Sequence, residues 1–208
     1  MNVRWHGSAE VFLNPVKIAL FVACLVPLGR LFFLASQSGL GANPIEFVTR
    51  STGSWTLILL MATLAVTPLR RFTGMAMLAR LRRMLGLFTF FYACIHLTTF
   101  VWFEHWFGLS EIIADVLKRP FITVGMVTFG LLLPLALTST NAMMRRLGRR
   151  WAELHRLVYL AAVLGVLHFW WHKAGKNDVL EPAMYGGAFA VLLAIRAWWW
   201  VSAWRQRP

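Results

Sequence analysis

Three of the six histidines lie inside strongly apolar runs, where an imidazole side chain needs a partner. His96 lies in YACIHLTTF, and His155 and His168 lie in ELHRLVYLAAVLGVLHF. A polar side chain in a lipid-like environment is costly unless something binds it. Because neutral imidazole can give a nitrogen lone pair to iron, two such histidines on different helices could hold one haem from opposite faces.

The composition is that of an integral membrane protein. Of 208 residues, 59% are hydrophobic and 14% are charged, with 11 Trp and 16 Phe. In a soluble domain a net charge of +13 would suggest nucleic acid as a partner, but here the basic residues cluster in short loops between apolar runs. Such loops are typical of a cytoplasmic side that faces anionic lipid. We therefore expect membrane lipid, and no nucleic acid, among the partners.

Six apolar segments predict an all-α fold: a polytopic membrane bundle of six transmembrane helices, in a single domain over residues 1–208. A span needs about 20 residues, and the segments lie at about 16–35, 52–69, 84–106, 121–139, 155–172 and 182–203. No internal repeat is apparent. The first segment is interpreted as an uncleaved helix, because Arg30 interrupts its far end and no signal-peptide cleavage site follows.

The distribution of Lys and Arg predicts that both termini are cytoplasmic. Most of the basic residues fall at the termini and in the loops after segments two and four: Arg4, Lys17, Arg70, Arg71, Arg80, Arg82, Arg83, Arg145, Arg146, Arg149, Arg150, Arg205 and Arg207. The opposite side holds fewer: Arg50, Lys118, Arg119, Lys173 and Lys176. Segments three and five should therefore both run from the inside to the outside.

Two histidines are expected at matching depth on these parallel segments. His96 lies 13 residues beyond Arg83, and His168 lies 13 residues beyond His155, which places each about 20 Å from the inner surface. We predict His96 and His168 as axial ligands of one outer haem. The second ring nitrogen of each should donate to a carbonyl or hydroxyl, with Thr99 as a candidate for His96. For a single membrane histidine, a hydrogen bond across helices is the alternative.

The role of His155, at the inner end of its helix, stays open. An inner haem would need a partner 13 or 14 residues before His96, and those positions are Arg83 and Arg82, neither a usable iron ligand. Three roles are compatible with the sequence: His155 could be the sole protein ligand of a second haem, it could belong to a flavin or quinone site, or it could be an ordinary interfacial histidine. On an ideal helix it lies about 140° from His168, so the two share a face only if the helix is distorted.

Several other side chains are secondary candidates for the site. Arg30 could pair with a haem propionate or extend to the surface. Arg82 and Arg83 could hold a flavin phosphate, since Arg binds phosphate well, although no Gly-rich phosphate loop is present. His172, one turn after His168, is an alternative iron ligand. The two remaining histidines, His105 and His6, are expected to lie in water.

Five segments together resemble the MsrQ family, the haem-binding membrane subunits of bacterial periplasmic methionine sulfoxide reductase systems. They are RRMLGL at 82–87, YACIHLTTF at 92–100, RPFITVG at 119–125, TSTNAMMRRLGRRWAELHRLVYL at 138–160 and LHFWW at 167–171. The resemblance covers nearly the whole chain. It also places the sequence in the wider ferric-reductase-like transmembrane family, with NADPH oxidases and metalloreductases.

The resemblance implies a six-helix cytochrome of the bacterial inner membrane that carries haem b and flavin mononucleotide (FMN). Such a subunit takes electrons from the quinone pool and passes them to a soluble periplasmic molybdopterin subunit, MsrP, which reduces methionine sulfoxide in oxidised proteins. The family's histidines fall on His96, His155 and His168. The wider family uses two histidines on each of two helices, and segment three lacks the inner one, so the number of haems, one or two, stays open.

We expect the loops at 39–52, 105–120 and 173–181 to dock the partner subunit. Reduction of methionine sulfoxide itself is expected on that partner. Two other functions are compatible with the sequence: a stand-alone ferric or quinone reductase, and a transporter that uses the intramembrane histidines as a proton relay.

Overall fold

The chain forms a series of helices in the computed structural model, which describes residues 7–175 and 178–205, with side chains from residue 15 onward. The helices are α1 (Gly7–Ser36), α2 (Pro44–Thr73), α3 (Leu78–Thr98), α4 (Leu109–Lys118), α5 (Pro120–Leu137), α6 (Asn141–Leu147), α7 (Arg149–Leu154), α8 (Leu157–Ala174) and α9 (Leu180–Arg205). A π-helical stretch, Thr99–Glu104, continues α3. The described residues include no β-strand.

The six predicted spans are confirmed. Six stretches are long and apolar enough to cross a membrane: Pro15–Ser36, Pro44–Thr73, Leu78–Glu104, Pro120–Leu137, Arg149–Ala174 and Leu180–Arg205. We refer to the end of the bundle at which α3 and α8 finish as the outer end. The second span begins eight residues before its apolar segment, because Pro44 opens the helix and the Asn43 side chain accepts a hydrogen bond from the Glu46 N–H. It ends at Gly74, which has the left-handed φ of 71°.

Helix α2 lies at the centre of the bundle, because both main core clusters draw on it. One cluster joins α2 to α5, α8 and α9 through Leu57, Leu60, Leu64, Leu135, Val158, Ala162 and Phe189. The other joins α2 to α1 and α3 through Cys24, Leu59, Val66, Leu85, Phe88 and Tyr92. The two closest helix pairings are α2 with α3 and α5 with α8. These two pairings position the candidate site.

Short helix α4 lies at the outer end, between α3 and α5. Its Asp115 Oδ2 lies 3.2 Å from His105 Nε2, and the His105 side chain is only 12% exposed. The expectation that His105 lies in water is therefore wrong, because the turn after the π-helical stretch packs this ring against Phe100 and α4. His6 lies outside the described residues.

Two polar side chains bond to helix carbonyls beside prolines. Pro68 has no N–H to offer the Leu64 carbonyl, and the Arg196 guanidinium of α9 donates to that oxygen instead. The same guanidinium donates to Leu192 O at 3.0 Å. Likewise, the Tyr92 hydroxyl donates at 2.7 Å to the carbonyl of Cys24, three residues before Pro27. Such partners allow proline in a spanning helix.

We expect Arg196→Met to destabilise the bundle, because the buried Leu64 carbonyl loses its donor. An unpaired buried acceptor costs about 1–3 kcal/mol. The matched control is Arg205→Met, at the exposed end of the same helix. Thermal unfolding in detergent, followed by circular dichroism, should show a lower midpoint for Arg196→Met alone. Equal midpoints for the two variants would contradict this role for Arg196.

Candidate haem site

The bundle brings the rings of His96 on α3 and His168 on α8 next to each other in its interior. Their ring centres lie 6.2 Å apart, and the ring planes meet at 75°. Each ring is tied to the backbone of a neighbouring helix. His96 Nδ1 lies 2.9 Å from the carbonyl oxygen of Thr49 on α2, and His168 Nδ1 lies 2.6 Å from that of Phe121 on α5.

These two carbonyl contacts set the tautomer of both imidazoles. A carbonyl oxygen only accepts hydrogen bonds, so each Nδ1 carries the proton and each Nε2 keeps its lone pair. We predicted that a carbonyl or a hydroxyl would accept a hydrogen bond from each ring, and in both rings the acceptor is a backbone carbonyl. Thr99 is not the orienter of His96. Its hydroxyl donates at 2.7 Å to the backbone carbonyl of His96, as a helical threonine commonly does.

A glycine lies under each histidine ring. A Cβ atom at Gly53 of α2 would meet His96 Cε1 at 3.0 Å, and one at Gly125 of α5 would meet His168 Cε1 and Nδ1 at 2.9 Å. Each glycine lies four residues after the carbonyl that holds the ring. The missing side chain therefore lets the imidazole lie against the helix and reach that carbonyl. The two glycines therefore make room for the rings of His96 and His168.

We expect Gly125→Ala to weaken haem binding, because the new methyl group displaces the His168 ring. The matched control is Gly130→Ala, on the same helix, where an added Cβ meets no atom within 4 Å. The measurement is haem retained per polypeptide after purification in detergent. Gly125→Ala should lose most of its haem, whereas Gly130→Ala should match the unmodified protein. Equal retention in both variants would show that the close approach does not position the ring.

The spacing of the two rings fits a single iron between them. Metal–nitrogen bonds of about 2 Å, with about 1 Å from each nitrogen to its ring centre, place two axial imidazole centres about 6 Å apart. The observed 6.2 Å agrees with this value. The rings of His96 and His168 are therefore close enough for one metal ion to bind both.

The site has an internal repeat that the sequence does not make apparent. Each half consists of a carbonyl, a glycine four residues later and a histidine 47 residues after the carbonyl. In the first half these are Thr49, Gly53 and His96; in the second, each 72 residues further on, they are Phe121, Gly125 and His168. The same offset relates Arg83 to His155. The surrounding residues differ too much between the halves for the repeat to stand out by inspection.

A cavity of about 240 Å³ surrounds the two histidines and opens toward the outer end. Its rim carries charged and polar side chains: Arg50, Glu104, Arg119 and His172. His172, the alternative ligand, lies on this rim with its ring 5.5 Å from Phe121, while His168 faces His96. Arg30 is exposed on α1 and is not among the described residues that line the cavity.

His155 lies in a break between α7 and α8. Its Nδ1 is 3.0 Å from the Trp151 carbonyl, and its ring stacks on Trp151 with centres 3.8 Å apart. Its Nε2 is buried and has no hydrogen-bond partner among the described residues. Val158 N–H bonds back three residues to the His155 carbonyl, so the chain here is wound more tightly than an α-helix. The angle expected from an ideal helix therefore does not apply.

A second cavity, of about 500 Å³, lies on the inner side of the first. Its lining includes His155 and Trp151 together with four arginines: Arg70, Arg80, Arg82 and Arg83. Leu132 belongs to the walls of both cavities, so they are separated by a thin layer of side chains. This volume lies within the range of small-molecule and cofactor sites, about 300–1,000 Å³. Arg82, Arg83 and His155 thus share one cavity, apart from the pair of His96 and His168.

The fold and this site define a multi-pass helical membrane protein with two facing intramembrane histidines. The family described as "Ferric reductase like transmembrane component" matches residues 52–166. This range includes His96 and His155 and ends two residues before His168. Because the match covers more than half of the chain, the chain belongs to this family.

Several curated relatives cover most of the chain. The one from Herminiimonas arsenicoxydans is 58% identical over 94% of this chain and 88% of its own length. The one from Ralstonia nicotianae is 57% identical over 90% and 87%, and the one from Bordetella pertussis is 53% identical over 94% and 93%. All three are named protein-methionine-sulfoxide reductase heme-binding subunit MsrQ. The chain belongs to the MsrQ family, as its sequence motifs predicted.

Proposed function

We propose that the chain is a b-type cytochrome of the bacterial inner membrane, with both termini in the cytoplasm. It takes electrons from the quinone pool and delivers them to a periplasmic molybdopterin subunit of the MsrP type, which reduces methionine sulfoxide in oxidised proteins. The observation that carries the proposal is the facing pair of imidazoles, 6.2 Å apart, with each Nδ1 held by a carbonyl. The names of the relatives, which state a heme-binding subunit of a methionine sulfoxide reductase, agree with it.

The residues around the outer cavity have distinct roles in this proposal. A haem with two protein axial ligands supplies one-electron transfer without an open position for dioxygen. His96 and His168 would hold the iron, and the carbonyls of Thr49 and Phe121 orient the two rings. Propionates are carboxylates, so they would be held by cations. Arg50 and Arg119 on the rim are suited to this, whereas the expected Arg30 is not among the described residues that line the cavity.

We further propose that the inner cavity holds a flat, anionic cofactor. FMN is one candidate, with its phosphate against Arg82 and Arg83. A second haem held by the free Nε2 of His155 is the other, with its propionates on the same arginines. In either case, electrons from quinol enter at this level and pass outward across the thin layer that contains Leu132.

The partner subunit should dock on the outer loops at 39–52, 105–120 and 173–181; residues 176 and 177 lie outside the described residues. These loops surround the rim on which Arg50 and Arg119 lie, so a partner bound there comes close to the outer cavity. A stand-alone reductase would use the same opening to meet a small acceptor such as a ferric chelate.

The test is a reconstitution with purified protein in liposomes. Iron and flavin are counted per polypeptide, the protein is reduced with a quinol, and reoxidation of the haem bands is followed after addition of either the molybdopterin subunit or a ferric chelate. We expect fast reoxidation by the subunit. Faster reoxidation by the chelate would favour the stand-alone reductase. A protein without haem bands would overturn both and leave the transporter hypothesis.

A further inference from the structure

Helix α4 carries an apolar stripe that no described part of the chain covers. Leu109, Ile113 and Leu117 recur one turn apart and are 74%, 59% and 78% exposed. The opposite side of the helix carries Glu111 and Lys118. A helix with one apolar and one charged side is stable only where its two sides meet different surroundings.

The stripe continues into two exposed aromatic residues just before α4. Trp106 is 78% exposed and Phe107 is 60% exposed. Both have positive φ angles, 47° and 61°, which bulky residues rarely adopt. Their N–H groups bond to the carbonyls of Trp102 and Val101, at 2.9 and 3.0 Å, so the end of the π-helical stretch holds them in this conformation. The backbone thus presents two exposed aromatic side chains immediately before the apolar stripe in the chain.

The position of α4 along the bundle follows from its neighbours. It begins five residues after the third span ends at Glu104 and finishes two residues before the fourth begins at Pro120. Ten residues extend about 15 Å, half of the roughly 30 Å hydrocarbon core, so α4 does not cross the membrane. Asp115 ties it to His105 at 3.2 Å and to Arg119 at 3.4 Å. The helix is therefore fixed at the level where the spans leave the lipid.

We propose that α4, together with Trp106 and Phe107, lies in the outer interface of the membrane, with its apolar stripe in the lipid acyl region. Amphipathic helices and aromatic side chains are both typical of that layer. The occupant of the stripe is thus lipid, on a surface that continues from the exposed side chains of the neighbouring spans. The opposite side, with Glu111 and Lys118, stays available to the partner subunit. Because Asp115 holds Arg119, this interfacial helix also supports one side of the rim of the outer cavity.

Spin labels on the full-length, haem-loaded protein test the proposal. In a background with Cys24→Ala and Cys94→Ala, single labels are attached at Ile113→Cys and Leu117→Cys on the stripe. Control labels are attached at Glu111→Cys and Lys118→Cys, on the opposite side of the same helix. The protein is reconstituted in liposomes of phosphatidylethanolamine and phosphatidylglycerol. Stripe labels should collide several-fold more with oxygen, relative to a water-soluble nickel chelate, than the control labels do.

Equal access of the nickel chelate to stripe and control labels would overturn the proposal. A second contradicting result would be that the nickel chelate reaches the stripe labels at first and is excluded only after the molybdopterin subunit is added. In that case the stripe would be covered by protein and not by lipid. A second measurement needs no substitution: a phospholipid with a photoactivatable diazirine near the glycerol backbone is crosslinked to the unmodified protein. Crosslinks in the peptide that spans 105–119 are expected, and their absence would contradict a lipid-bound α4.

Discussion

Replacing either His96 or His168 by alanine is expected to abolish the haem absorption bands of the purified protein. In the proposed site, each imidazole would supply one of the two protein ligands of the haem iron. The matched control is His172→Ala, one turn from His168 on the rim, which should keep its haem. Reduced-minus-oxidised spectra and iron per polypeptide measure the effect. Full haem content in either ligand variant would contradict the assignment.

Free imidazole separates a lost ligand from a lost fold in these variants. His168→Ala leaves space beside Gly125 that an imidazole molecule can fill. Adding imidazole and haem should therefore restore the bands in part, while circular dichroism shows unchanged helix content. If helix content falls and imidazole restores nothing, the histidine is needed for folding rather than for iron.

The variant Arg83→His is expected to bind one more haem than the unmodified protein. Arg83 occupies the position that the 72-residue offset relates to His155, and both side chains line the inner cavity. A histidine there would line the same cavity as the Nε2 atom of His155, which has no hydrogen-bond partner among the described residues. We expect the variant to hold two low-spin haems per polypeptide, measured from iron content and from the spectrum of the oxidised protein.

The double variant Arg83→His with His155→Ala is the control for this gain. It lacks the second ligand and should return to one low-spin haem, while the outer site is unchanged. If Arg83→His has the same number of low-spin haems as the unmodified protein, the two halves of the bundle are not equivalent at the inner level.

The sequence predicted the spans and the main pair of histidines because both depend on properties that are local in the chain. Apolar length identifies a span, and counting residues from the charged end gives depth. This count places His96 and His168 at the same depth in the membrane without any information on helix packing. The extra turns of α2 were missed because its first residues are polar, although Asn43 and Pro44 form a recognisable helix start.

What the sequence could not supply is the packing between helices. The carbonyls of Thr49 and Phe121 hold the rings from 47 residues away, and no side-chain type marks a carbonyl as a partner. Thr99 was predicted because it lies one turn from His96, but its hydroxyl bonds to a carbonyl of its own helix. The break at His155 was likewise not visible, because RRWAELHRL is a good helical sequence without glycine or proline.

Electron paramagnetic resonance of the oxidised, purified protein tests most directly whether His96 and His168 share one iron. Two axial imidazoles with planes crossed at 75° should give a strongly anisotropic low-spin ferric signal. That signal should disappear in His96→Ala and in His168→Ala, and persist in His172→Ala. A high-spin ferric signal alone, or a low-spin signal that survives in either ligand variant, would show that the two histidines do not hold a common haem.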